Sequence, residues 1–150
     1  MEIRTAIYRY CNYQERSHEE VRTKLFELGA GGEYGDTLIS ELIEANLLNE
    51  ERFAQSYCRG KFGQKKWGRN KIKQGLKQKK VSEYCIRKGL QEINGEDYER
   101  TLLQLCERSL EKYQKDPEWM RRAKTTRYLI SRGFENDLIQ SALENTITQP

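Results

Sequence analysis

The chain has 150 residues, of which 33% are charged, 36% belong to the hydrophobic set and only two are proline. This length corresponds to one domain or to a few small repeated units, and no apolar run approaches the ~20 residues of a membrane-spanning helix. The first residues also lack the apolar segment of a secretory signal, so we expect a cytoplasmic protein without a membrane partner.

The first two predicted elements are amphipathic helices. Apolar residues recur at helical spacing from Ile3 to Cys11, which places them on one face. Ser17 and Glu20 have the spacing of a capping box, so a second helix is expected to begin there. Gly29 is placed to end that helix, because glycine readily adopts the left-handed conformation that follows a helix terminus.

Four further helices are predicted in the middle of the chain. Asp36 is expected to cap the third helix and Asn49 the fourth, since both side chains can accept hydrogen bonds from helix N-terminal amides. A fifth, short helix ends near Val81, and Ser82 is expected to cap the sixth.

The C-terminal third of the chain is predicted to be helical as well. A long seventh helix precedes Asp116 and Pro117, which have the pattern of a cap followed by proline at the first helical position. Gly133 is expected to end the eighth helix, and Glu135 or Asn136 to begin the ninth. No segment alternates with the period of two that indicates a β-strand, so the predicted fold class is all-α.

Three of these helices align with one another. Leu25, Leu76 and Leu129 fall in register at separations of 51 and 53 residues, which predicts tandem three-helix repeats. Units of this size are too small to bury a core by themselves, so neighbouring units must stack. The expected boundaries are an N-terminal helix at 1–16, repeat 1 at 17–67, repeat 2 at 68–116, and a truncated two-helix repeat 3 at 117–150.

The basic charge is concentrated in one block. Between Phe53 and Ser82 there are ten Lys and Arg residues and no Asp or Glu, although the net charge of the chain is only +4. Such a block attracts polyanions with an affinity that falls with salt, whereas the alternative interpretation is a solvated helix face. The candidate binding cations are Arg59, Lys61, Lys65, Lys66, Arg69, Lys71, Lys73 and Lys77.

Aromatic residues are interleaved with these cations. Tyr57, Phe62 and Trp67 could stack on the bases of a single-stranded nucleic acid. The helical spacing of Tyr57 and Phe62 with Phe53 favours core packing for those two. For Trp67, which stands beside Gly68 in a linker, base stacking and core packing both remain open.

Nothing in the chain has the pattern of a catalytic or metal site. The single histidine, His18, lies in a polar segment, and the glycine-rich segment 29–35 has Tyr34 where a dinucleotide-binding fingerprint needs its third glycine. The cysteines are too far apart for a Cys-x-x-Cys pair, so we expect reduced thiols, no metal, no cofactor and no enzymatic activity. The cysteines are Cys11, Cys58, Cys85 and Cys106.

Several segments resemble the RecX family of bacterial regulatory proteins. The segments are SHEEVRTK at 17–24, LLNEERFA at 47–54, WGRNKIKQGL at 67–76 and LISRGF at 129–134. The resemblance extends from about residue 6 to residue 143. Two departures are Asn49, at a position where the family has an acidic residue, and Lys80, where it has glycine.

The resemblance implies a function that composition does not. RecX-like proteins bind the RecA recombinase, mainly as its filament on single-stranded DNA, and restrain its ATPase, strand-exchange and co-protease activities. They are modulators rather than enzymes, and the resemblance also implies an elongated, curved array of repeats. The expected partners are therefore a RecA filament and, weakly, single-stranded DNA, with the chain a monomer; the alternative is a stand-alone nucleic-acid-binding module.

Overall fold

The structure, a computed structural model, describes residues 2–148. Within this range the chain forms nine α-helices and no β-strand, which confirms the all-α class. No helix in the described range is both long enough and apolar enough to cross a membrane. The helices are α1 (Ile3–Tyr13), α2 (His18–Glu27), α3 (Gly32–Glu44), α4 (Glu50–Gly63), α5 (Arg69–Gln78), α6 (Glu83–Leu90), α7 (Gly95–Lys112), α8 (Glu118–Ser131) and α9 (Asn136–Thr148).

The three aligned leucines occupy equivalent places in α2, α5 and α8. Leu25, Leu76 and Leu129 are 1%, 0% and 0% exposed. Four residues after each leucine the backbone enters the left-handed region, at Gly29 (φ 87°), Lys80 (φ 59°) and Gly133 (φ 99°). The repeat register predicted from the sequence is therefore present in the backbone as well as in the core.

All three helices end in the same hydrogen-bonded motif. The amide five residues after each leucine donates to that leucine's carbonyl, at 2.8 Å from Ala30, 3.1 Å from Val81 and 3.1 Å from Phe134. A second bond joins the left-handed residue to the carbonyl three residues before it, which completes a Schellman motif. Since Ala30, Val81 and Phe134 are buried, each motif also turns the chain back into the core.

Side chains begin four of the helices as their residue types predict. The Ser17 hydroxyl accepts from the Glu20 amide at 3.0 Å, and the Glu20 carboxylate accepts from the Ser17 amide at 2.8 Å, which is the predicted capping box. Asn49 and Ser82 accept from amides three residues ahead, at 2.9 Å and 3.3 Å. Asn94 caps α7 in the same way, at 3.0 Å.

Two predicted caps are wrong. Asp36 lies inside α3, because the glycine-rich turn lets the helix begin at Gly32, with Gly31 as its N-cap. Asp116 does not cap α8, whose N-cap is Pro117. The Asp116 carboxylate instead accepts a hydrogen bond from the Lys124 ammonium at 2.7 Å, so it pairs with a side chain further along α8 rather than with the amides at the start of the helix.

The chain divides into two compact units. The first comprises residues 1–59 and 75–92, and the second residues 60–74 and 93–150, so α4 and α5 each contribute residues to both. In the first unit, α1, α2 and α3 enclose an apolar cluster. Gly89 of α6 lies so close to α4 that a Cβ added there would be 2.7 Å from the Ala54 carbonyl oxygen. The cluster consists of Ile7, Cys11, Val21, Leu25, Ala30, Leu38, Ile39, Leu42 and Leu48.

The second unit is organised around Tyr98 and the mutual packing of α7, α8 and α9. The Tyr98 side chain is buried, with its ring centroid 5.7 Å from that of Phe62 and 5.2 Å from that of Phe134. Between α7 and α8 the Ser109 and Thr125 hydroxyls share a buried hydrogen bond of 2.7 Å. This core supports the loop between α4 and α5, which carries Lys65 and Lys66 of the basic block.

Candidate functional site

Several cations of the basic block have a carboxylate partner that the sequence does not indicate. Carboxylates from distant parts of the chain lie beside several of its cations within the first unit. Arg59 pairs with Glu92, and Lys77 lies 3.9 Å from a Glu83 oxygen. The paired cations of the first unit are Arg59, Lys77, Lys79 and Lys80, the last two bonded to Glu20 at 3.3 Å and Glu19 at 3.5 Å.

A different pattern holds in the second unit. Among residues 2–148, no carboxylate oxygen lies within 4 Å of the ammonium groups of Lys65, Lys66 or Lys73. We call these three the open cations. Lys65 is exposed and the other two are partly buried.

Trp67 lies between two further lysines of the block. Its ring centroid is 4.9 Å from the Lys61 ammonium and 4.4 Å from the Lys71 ammonium, both within cation–π distance. The side chain is partly buried. Its surroundings therefore differ from the apolar core that one of the two sequence-based alternatives required, and its charged neighbours are suited to an anionic ligand.

The other two aromatic candidates pack within the protein. The Tyr57 ring lies 5.9 Å from the Phe53 ring, and its hydroxyl would be 2.1 Å from a Cβ added at Gly75. Phe62 packs against Tyr98. These contacts agree with the core interpretation of both residues.

The loop that carries Lys65 and Lys66 is held by backbone hydrogen bonds to the loop after α8, and Lys73 lies on α5 directly after it. The Gly68 amide donates to the Arg132 carbonyl at 2.8 Å, and the Asn70 amide donates to the Gly133 carbonyl at 2.9 Å. A Cβ added at Gly68 would lie 2.3 Å from the Gly133 carbonyl carbon, so the two backbones are in direct contact. Arg132 in turn donates to the Lys65 carbonyl, which ties down the segment before Gly68.

Arg69 belongs to this anchor rather than to the open surface. Its guanidinium donates to the Glu135 carboxylate at 2.9 Å and lies 3.8 Å from the Tyr98 ring centroid, while its amide donates to the Tyr98 hydroxyl at 2.9 Å. The Tyr98 hydroxyl donates to Glu135 as well. Burial raises the pKa of Tyr98, and the hydrogen bond to Glu135 raises it further, so the phenol remains protonated as a donor.

These contacts also decide how the site can bind an anion. A helix N-terminus with unpaired amides is a common phosphate site, but the first two amides of α5, those of Arg69 and Asn70, are already bonded within the protein. Phosphate binding must therefore come from lysine side chains. Sequence reasoning did not find Tyr98, Glu135 or Gly133 as parts of the site; the LISRGF match did include Gly133, but as a helix end.

The thiols and the histidine have surroundings that keep them unreactive. All four cysteines are buried and unpaired with one another in the described range. Burial raises the pKa of Cys11 to about 11 and that of Cys58 to about 12, so both are thiols near neutral pH. Burial lowers the pKa of His18, whose ring lies 3.8 Å from Glu50.

Comparison with known proteins decides the family. A model described as the second three-helix domain of RecX matches residues 49–90, and one described as the third three-helix domain matches residues 96–143. The chain belongs to the RecX family. The first segment contains α4, α5 and α6, and the second contains α7, α8 and α9, so each is a complete three-helix unit with an aligned leucine in its middle helix.

The RecX domains are grouped one helix earlier than the expected boundaries at 68 and 117. In that grouping α7 is the first helix of the third domain, whereas the boundaries expected from the sequence place α7 in repeat 2 and stay a prediction. Lys80 departs from the family glycine yet keeps the left-handed turn.

Relatives named regulatory protein RecX match most of the chain. The protein of Clostridium perfringens (strain SM101 / Type A) is 33% identical over 128 residues, which cover 84% of this chain and 59% of that protein. The protein of Limosilactobacillus reuteri (strain DSM 20016) is 26% identical over 141 residues, covering 94% and 53%. The chain thus spans about half the length of the curated relatives it matches.

The fold is also that of solved RecX structures. The crystal structure of RecX from Lactobacillus salivarius matches with a TM-score of 0.89 at 24% identity, covering 98% of this chain and 96% of that one. At this identity the match concerns the fold, and it agrees with the tandem helical units described above.

Proposed function

We propose that this chain is a regulator that binds a RecA recombinase filament on single-stranded DNA and restrains its ATPase, strand-exchange and co-protease activities. Membership of the RecX family and the name shared by its relatives support a regulatory role. In this proposal the chain works in the cytoplasm as a monomer and by binding, without a catalytic step of its own.

The observation that carries the proposal is the group of open cations, two on the anchored loop and one on the helix that follows it. Lys65, Lys66 and Lys73 have no carboxylate partner in the described part of the chain, and Trp67 beside them is flanked by two ammonium groups. Unpaired lysines attract phosphates, and they do so without reading sequence. Because the α5 amides are occupied, we expect DNA contacts that are electrostatic, weak and strongly salt-dependent.

The eight cations singled out from the sequence therefore receive different proposed roles. Lys61, Lys65, Lys66, Lys71 and Lys73 form the proposed binding surface with Trp67. Arg69 positions this surface through Tyr98 and Glu135. Arg59 and Lys77 have local carboxylate partners, so we assign them little part in binding.

The test is RecA ATPase activity on single-stranded DNA, titrated with this chain at fixed salt. We expect turnover to fall as the chain is added, and the inhibition to weaken as salt rises. Heat-denatured chain serves as the control for nonspecific effects. Unchanged ATPase activity at concentrations where the chain co-sediments with the filament would contradict the proposal.

A second candidate is a stand-alone single-stranded nucleic-acid-binding module. The lysines on either side of Trp67 favour it, since an indole within a cationic surface can stack on a base while the ammonium groups contact phosphates. Fluorescence anisotropy with a labelled oligo-dT and no RecA distinguishes the two. Tight binding by the isolated chain supports the module, and weak binding supports the filament regulator.

A further inference from the structure

A groove in the second unit has a chemistry distinct from that of the open cations. It runs between α7 and α8, with Leu105 and Ser109 lining it from α7 and Tyr128 from α8. Leu105 and Ser109 are buried, whereas the Tyr128 side chain is 39% exposed. The complete lining is Leu105, Arg108, Ser109, Lys112, Tyr113 and Tyr128.

The charged residues that line this groove are both cations. Arg108 and Lys112 line it from the same face of α7, and neither has a carboxylate within 4 Å in the described range. No acidic residue lines the groove. The Tyr113 ring centroid is also 5.4 Å from the Lys112 ammonium and 4.9 Å from the Lys124 ammonium, of which Lys124 is paired with Asp116 and Lys112 has no carboxylate partner in the described range.

We infer that this groove binds a protein segment in which a carboxylate stands next to an apolar or aromatic side chain. The apolar side chain would lie on Leu105 between the two tyrosines, and the carboxylate would pair with Arg108 and Lys112. The carboxylate of such a peptide is opposite in charge to Arg108 and Lys112, which have no carboxylate partner in the described range. Its apolar side chain would contact the buried Leu105 at the bottom of the groove.

A peptide suits this geometry better than a nucleic-acid strand does. The α7 residues lining the groove, from Leu105 to Lys112, span about 10 Å of helix, which is the length of a few side chains. The inference rests on the proposed function in one respect: the segment would belong to the protein component of the RecA–DNA filament. The open cations would then contact DNA and the groove would contact protein.

The closing experiment compares a groove variant with a charge-matched control. The variant R108E/K112E reverses the two groove cations, and K115E/R127E reverses two exposed cations that do not line it. We expect R108E/K112E to need about tenfold more chain for half-maximal inhibition of RecA ATPase, with oligo-dT binding changed less than twofold. The control variant should behave as wild type in both assays.

Each other outcome overturns the inference. Equal losses of inhibition and oligo-dT binding would make the occupant a nucleic acid, and equal losses in both variants would reduce the effect to net charge. Normal inhibition by R108E/K112E would exclude the groove while leaving the proposed function intact.

A readout without RecA separates the two proposals. The ¹⁵N-labelled chain is titrated with an N-acetylated peptide of alternating glutamate and phenylalanine, and with its lysine counterpart as a control. We expect amide shifts at Arg108, Ser109, Lys112 and Tyr128 with the acidic peptide only, even if the wild-type chain fails to inhibit RecA. Shifts that are absent, or that are equal with both peptides, overturn the groove assignment by itself.

Discussion

The two parts of the basic block look alike in sequence and differ in charge environment. In the first unit Arg59, Lys77, Lys79 and Lys80 each lie beside a carboxylate, whereas in the second unit Lys65, Lys66 and Lys73 do not. Exposed ion pairs contribute ~0–1 kcal/mol to stability, so the pairing is a weak source of folding energy. Its larger consequence is that each of these four cations has a carboxylate that competes with an external anion.

The two parts are also held differently. Of the paired cations, Arg59 and Lys77 lie on helices and Lys79 and Lys80 in the turn after α5. Of the open cations, Lys65 and Lys66 lie on a loop in backbone contact with Gly133, and Lys73 lies on the helix that follows this loop. A cation on an ordered loop loses less freedom on binding than one on a mobile loop, which favours binding by the second part. The following predictions test this difference, from the largest expected effect to the smallest.

Gly68→Ala is expected to have the largest effect, because it removes the loop from its anchor. The new Cβ would lie 2.3 Å from the Gly133 carbonyl carbon, and two backbones must separate to admit it. We expect a loss of about 3 kcal/mol in the free energy of unfolding, measured by urea titration. Gly60→Ala is the control, since nothing lies within 4 Å of a Cβ added at Gly60. Within a helix, alanine is more stable than glycine by about 0.5–1 kcal/mol. Equal stabilities of the two variants would contradict the anchor.

Tyr98→Phe should destabilise the chain by about 2 kcal/mol. The Arg69 amide and the Glu135 carboxylate would both lose the phenol, and unsatisfied polar groups cost ~1–3 kcal/mol each when buried. Thermal and urea unfolding measure the change, with Tyr13→Phe as the matched control because Tyr13 is 80% exposed.

The effect of Tyr98→Phe on stability should depend on pH. The folded state holds the pKa of Tyr98 above its ordinary value of 10.0, so this contribution to stability is complete below pH 10 and declines as the pH rises further. The stability difference between wild type and Tyr98→Phe should therefore narrow above pH 10. A difference that stays constant to pH 11 would argue against the buried phenol as a neutral donor.

Neutralising the open cations should weaken DNA binding without unfolding the chain. We expect Lys65→Gln, Lys66→Gln and Lys73→Gln together to reduce oligo-dT affinity about tenfold. The slope of the logarithm of the binding constant against the logarithm of the salt concentration should become less negative by about two. The triple change Lys77→Gln, Lys79→Gln and Lys80→Gln alters net charge equally but removes only paired cations. Similar losses from both triples, measured by anisotropy at several salt concentrations, would remove the distinction between the two parts of the block.

The smallest effect concerns two lysines with left-handed backbones, one in each part. Lys80→Gly and Lys66→Gly should each stabilise the chain by about 0.5–1 kcal/mol, because φ values of 59° and 56° strain any residue with a Cβ. Lys80→Gly should leave oligo-dT affinity unchanged, whereas Lys66→Gly should lower it about two- to threefold. Differential scanning calorimetry and anisotropy measure the two effects; equal DNA affinities would show that Lys66 is not an open cation in function.

Local pattern was sufficient for most of the fold. The caps at Ser17, Asn49 and Ser82 and the buried leucines follow from bonds and contacts within a few residues, so the sequence by itself predicts them. The errors at Asp36 and Asp116 arose where a competing contact or a flexible glycine turn offered an alternative to capping.

The ion pairs of the basic block could not be predicted from local sequence pattern. Glu19, Glu20 and Glu92 lie outside the acid-free segment, and only folding brings their carboxylates to Lys80, Lys79 and Arg59. The contact of Gly68 with Gly133 likewise joins segments 65 residues apart. The sequence by itself determined the helices, the caps at Ser17, Asn49 and Ser82, and the repeat register, because these depend on local hydrogen bonds and periodic burial. It also determined that basic charge is concentrated in one segment, because this is a property of composition alone. The tertiary structure alone decided which charges remain open, because electrostatic neutralisation depends on distance in space rather than along the chain.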